Sequence, residues 1–120
     1  MADHSPIYRR LLEAEPKWLS QIRRGVEKES LRVSQHQATL AQTPHPSGLG
    51  SALTHSAITT DYSEALLEFI TPVSNSIADT EQALADLHRF TARQLDAELL
   101  WNASMPCIVQ GLSLIHISEP

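Results

Sequence analysis

Four carboxylates in two short segments are the residues best placed by type and spacing to do chemistry. Glu27 and Glu29 stand two apart in Gly25-Val26-Glu27-Lys28-Glu29-Ser30-Leu31-Arg32-Val33. Alternate residues of a strand share a face, so these side chains point the same way, roughly 6.5–7 Å apart. Asp61 and Glu68 lie in Ile58-Thr59-Thr60-Asp61-Tyr62-Ser63-Glu64-Ala65-Leu66-Leu67-Glu68-Phe69-Ile70-Thr71-Pro72. Glu68 interrupts an apolar run, where an ionised acid needs a positive partner, a hydrogen-bond network or a metal. Acids converging from separate strands suit a site for hard cations, which take oxygen ligands.

Each of these residues also has a blander reading. Glu27 and Glu29 fit a solvated strand face paired with Lys28 or Arg32 of a neighbouring strand. Glu68 fits a buried ion pair with Arg23, Arg24 or Arg32, and Asp61 a turn cap. Glu68 tips the balance, because an acid centred in an apolar strand is seldom merely solvated. Glu64 falls on the outer side of a turn and stays outside the site.

The remaining candidates are weak. His45 and His55 fall in a loop and His88 on a helix, without ligand spacing, so surface or capping roles fit them better. Cys107 reads as a small buried apolar residue. Gly48-Leu49-Gly50 is too common a pattern to mark a phosphate loop. Neither a P-loop lysine pattern nor a nucleophile elbow is present.

The elements that must position the acids follow from pattern. Ser5 and Pro6 open a first helix, with Ile7, Leu11, Leu12 and Ala14 on one stripe and Pro16 breaking it. A strand is predicted over Val26 to Val33, with Ala38 to Ala41 as a short hairpin partner and a breaker-rich loop from Thr43 to Gly50. Strands are predicted at Ile58 to Asp61 and Leu66 to Val73. From Ser76, Ile77, Leu84, Leu87, Thr91 and Leu95 recur at helical spacing, with Asp79 favouring the first turn. Helices flanking a few antiparallel strands make an α+β fold.

At 120 residues, 42% of them hydrophobic, the chain can bury a modest core. Nine basic against fourteen acidic residues, a net charge of −5, argue against a nucleic-acid surface. A single cysteine fits a reducing compartment, and neither a signal core nor a membrane-length apolar stretch is visible. A cytoplasmic protein is expected.

Taken together, Arg24 through Val33, Gly50-Ser51-Ala52-Leu53-Thr54-His55 and Ile58 through Pro72 resemble bacterial glutamate–cysteine ligase. Asp86-Leu87-His88-Arg89 and Ser104-Met105-Pro106-Cys107 continue the resemblance in order. It implies an antiparallel-sheet funnel with flanking helices, of which residues 1–111 would be an incomplete N-terminal part. It implies ATP-dependent ligation of the γ-carboxyl of L-glutamate to L-cysteine through γ-glutamyl phosphate, the first step of glutathione synthesis. ATP, L-glutamate and L-cysteine would be the partners, and Mg2+ the cofactor, held by Glu27, Glu29, Asp61 and Glu68. Family members run to several hundred residues, so this stretch alone is expected to be inactive. Residues 112–120 depart from the family and resemble the in-frame translation of a transposon-end sequencing adapter. The competing expectation is a small non-enzymatic acidic binding or regulatory module.

Overall fold

A computed structural model describes residues 6–13, 18, 20–51 and 55–110. The expectations for Ser5, the Pro16 break and the 112–120 tail fall outside the described residues. Helix α1 covers Pro6–Glu13. Four strands follow: β1 (Glu27–Ser34), β2 (Ile58–Thr60), β3 (Leu66–Ile70) and β4 (Glu98–Trp101), with helix α2 (Ile77–Ala92) between the last two. The sheet has the order β2-β3-β1-β4, every neighbouring pair antiparallel. The expected α+β class holds.

Alternation splits the apolar run of β3 between two faces. Leu67 and Phe69 are buried on one side, while Leu66, Glu68 and Ile70 are half-buried on the other. The first side packs under α2: Leu49, Ile58, Leu67 and Phe69 form a core against Leu84, Leu87 and Leu100. Ser76 caps this helix, its Oγ accepting from the Asp79 amide at 3.2 Å. Such a cap satisfies a donor that the first helical turn leaves free. Buried Thr80 and Thr91 complete the inward stripe, and Leu95 is buried just past the helix. Ile77, expected on that stripe, is 70% exposed, because it sits in the first turn before the helix reaches the sheet.

The opposite side of the sheet is covered over only half its length. Val33, Leu40, Ala65 and Cys107 make a second core there, with Leu31 and Trp101 packed against it. Cys107 is therefore buried and apolar in role, as its surroundings in sequence indicated. The segment expected as a hairpin partner is not a strand. It forms isolated bridges, Val33 with Leu40 and Thr39 with Ile108, and its Ala38 has a positive φ of 53° that bends the chain out of a ladder. The partner of β1 on that flank is β4, a strand the periodicity did not reveal. It is four residues long, and Trp101 is tied to the following turn by its indole N–H donating to the Met105 carbonyl at 2.8 Å.

Candidate functional site

Strand register brings the acids together. Glu29 lies directly opposite Glu68, Glu27 lies opposite Ile70, and Thr59 pairs with Glu68 from the other side. Odd-numbered positions of β1 therefore share a face with Glu68 and Thr59. Asp61 follows two residues after Thr59, and its amide still donates to the Leu66 carbonyl at 3.3 Å. Directly opposed strand residues have Cα atoms about 4.5–5.5 Å apart, so Glu29 and Glu68 are true neighbours.

This is the uncovered half of the sheet face. Glu27, Glu29 and Asp61 are exposed and Glu68 is half-buried. The Glu68 carboxyl titrates above its ordinary value, first through partial desolvation and then through repulsion by Glu27, Asp61 and Glu29. Those are the three other acids that the sequence grouped with it. Among the described residues no cation forms an ion pair with them: the two ion pairs there are Arg32–Glu98 and Arg89–Asp86. The alternative reading of Glu68 as ion-paired to an arginine does not hold for Arg32, which pairs with Glu98 and whose side chain leaves the sheet on the other side. Among the described residues, no three Asp, Glu, His or Cys side chains close on a single point tightly enough to hold an ion. Four like charges without a counter-ion repel one another, which favours such a splayed arrangement. The donor set itself, carboxylate oxygens alone, matches what hard divalent cations take.

Lys28 and Arg32 occupy the helix-facing side of β1. Lys28 donates to Ser30 Oγ at 2.6 Å and to Asn102 Oδ1 at 2.9 Å, and burial lowers its pKa. It does not neutralise the acids on either side of it in sequence. His55 caps: its Nδ1 accepts from the amides of Ala57 and Ile58 at 3.1 and 2.9 Å, fixing the entry to β2. His88 lies edge-on to Phe69, with ring centroids 4.9 Å apart.

The chain matches the family model described as glutamate-cysteine ligase over residues 9–119, a span that takes in residues 112–119. The chain belongs to the glutamate–cysteine ligase family. It is 54% identical over 108 residues to the glutamate–cysteine ligase of Sodalis glossinidius and 56% identical over 108 residues to that of Yersinia enterocolitica. Each match covers 90% of this chain but 21% of the relative, so the chain spans about a fifth of the length of the curated ligases it matches. Among solved structures, the Francisella tularensis glutamate–cysteine ligase in complex with AMP superposes with a TM-score of 0.61 at 39% identity. That match covers 73% of this chain and 18% of the other. A bifunctional glutathione synthetase from Pasteurella multocida gives a TM-score of 0.78 at 32% identity, covering 94% of this chain and 15% of that one.

What the residue pattern missed within this ligase segment is the buried anchor behind the acids. Arg32 is 0% exposed and bonds to Glu98, Thr43 and the Glu64 carbonyl. Its only sequence signal was its place in the strand alternation. Glu98 lies 66 positions away, on a strand that was not foreseen.

Proposed function

We propose that this segment supplies the acidic wall of a ligase that joins the γ-carboxyl of L-glutamate to L-cysteine at the expense of ATP. The observation that carries the reading is the placement of Glu27, Glu29, Asp61 and Glu68 on one open half-face, with no cation among the described residues ion-paired to them. A surface so negative repels both ATP and a carboxylate substrate, so it serves this reaction only with divalent cations between. Magnesium bound there would neutralise phosphate charge and orient the transferring phosphoryl group. The chain's part is to hold that cation. Glu29 and Glu68 would hold it from adjacent strands, with Glu27 two residues along β1 and Asp61 at the β2–β3 turn. The AMP bound by the Francisella relative supports nucleotide use in this family. Water-soluble, cytoplasmic substrates fit a chain in which no helix among the described residues is long and apolar enough to cross a membrane.

The test belongs in a full-length ligase carrying this segment, for instance the Sodalis enzyme with residues 9–110 grafted in. Glu68→Gln keeps shape and one carbonyl oxygen but removes the charge that holds the cation. Turnover should fall by orders of magnitude, with partial recovery in excess magnesium. A variant with normal activity per folded molecule and an unchanged magnesium requirement would refute the assignment.

A further inference from the structure

The guanidinium of Arg32 has five N–H donors, and all five are used. Nε and Nη2 donate to the Glu64 carbonyl at 3.3 and 2.9 Å. Nη2 also reaches the Thr43 carbonyl at 2.7 Å, while Nη1 donates to Thr43 Oγ1 at 2.8 Å and Glu98 Oε2 at 2.7 Å. The Thr43 hydroxyl in turn donates to the other Glu98 oxygen. A charged group removed this fully from water persists only with such complete satisfaction.

The targets of those bonds give the arginine a role beyond packing. Glu64 sits in the turn that joins Asp61 to β3, and the next carbonyl of that turn, Ala65, accepts from the Arg32 backbone amide at 2.7 Å. One residue thus grips two consecutive carbonyls of the connection between Asp61 and Glu68. Within the connection itself the Asp61 amide donates to the Leu66 carbonyl and the Leu66 amide to the Ser63 carbonyl, beside a β2–β3 ladder of three register pairs. Arg32 lies on β1 itself, three residues beyond Glu29, roughly 10 Å along the strand. Its side chain leaves on the face opposite the acids, so it cannot touch what they hold.

We propose that Arg32 is a positioning residue for the acidic face, fixing the Asp61–Glu68 turn against the strand that carries Glu27 and Glu29. Glu98 and Thr43 hold its planar fork in the orientation that does this. The proposal rests on the reading of the four acids as cation ligands. A lysine keeps the charge but has no fork to span a carboxylate and two carbonyls.

The experiment uses the same full-length graft, with Mn2+ alone as the probe, followed by electron paramagnetic resonance titration. Turnover is measured in parallel against magnesium concentration. Glu68→Gln should weaken Mn2+ binding; if it does not, the ligand reading fails and this proposal with it. Arg32→Lys should weaken Mn2+ binding about 10–100-fold, the usual cost of removing a group that orients a ligand. Its half-saturating magnesium should rise by a similar factor, with turnover at saturating magnesium changed far less. Should Arg32→Lys not accumulate as folded protein, Arg32→Met combined with Glu98→Met leaves no buried charge unpaired and supplies the same titration. A folded variant with parental Mn2+ affinity, beside a weakened Glu68→Gln, would overturn the positioning role and leave Arg32 a stabilising residue only.

Discussion

Replacing Phe69 by alanine should cost this segment more stability than any single change on its open face. Phe69 is 0% exposed, is flanked in register by Lys28 and Ile58, and lies in the core under α2. A phenylalanine buries about 150–250 Å2, worth about 4–6 kcal/mol at ~25 cal/mol per Å2, an upper bound for an extended unfolded chain. Phe→Ala substitutions in cores cost about 3–5 kcal/mol, and that range is expected here. The ring edge against His88 accounts for about 0.5–1.5 kcal/mol of it. Phe69→Leu, which keeps most of the apolar volume, should therefore lose little more than that share. The loss also has a chemical readout. His88 titrates below its ordinary value, first through burial and then through the charge of Lys28. Opening a cavity beside its ring admits water and should move that value upward. A large ligase need not unfold in two states, so amide hydrogen exchange across β1 and β3 is the suitable assay, with the His88 resonance followed against pH. A cost below about 1 kcal/mol for Phe69→Ala, with His88 unmoved, would refute the placement of this core.

Two further outcomes follow from the same geometry. Because the Glu68 pKa is raised, the folded chain holds a proton that the unfolded chain has released, in the window from the ordinary glutamate value of about 4.3 upward. Stability should fall as pH rises through that window, and saturating magnesium or Glu68→Gln should flatten the slope; a slope of opposite sign in thermal melts would contradict the mutual repulsion. Ser76→Ala removes the cap of α2 and should cost about 1 kcal/mol by denaturant midpoint, with Ser76→Asp close to parental.

The sequence was readable wherever one local pattern had one outcome. Gly25 and the polar turn after Ser34 bracket β1, and the observed Glu27–Ser34 lies one residue along from the expected span. Asp79 marked the first turn of α2 as an acid at the positive end of a helix, while the capping role of Ser76, where the period changes, emerges only in the structure. β4 was hidden because Glu98-Leu99-Leu100-Trp101 has no alternation to set it apart. Glu98, Leu100 and Trp101 are half-buried and Leu99 is exposed, and the segment is a strand because it pairs with β1 on that side. Ala38 to Ala41 read as a strand for the converse reason. Its composition is right, but tertiary contacts with Ile108 and the Ala38 bend decide its shape.

Period two placed Glu27 and Glu29 on one face, and the strand register adds Glu68 to that face. The apolar residues around Glu68 in sequence imply a desolvated acid that needs a positive partner, a hydrogen-bond network or a metal. Its neighbours Leu67 and Phe69 instead face away from it, and the carboxylate looks out on the open half of the sheet. The deeply buried charge of this segment is Arg32, whose need for partners is met by Glu98, Thr43 and the Glu64 carbonyl. The two faces therefore divide the electrostatic work. A balanced pair lies behind the sheet, and in front lies a set of acids with no ion-pair partner among the described residues. An uncompensated set of acids is costly in itself, and a fold that retains one beside a fully satisfied arginine network favours reading it as a site that awaits cations rather than as a solvated edge.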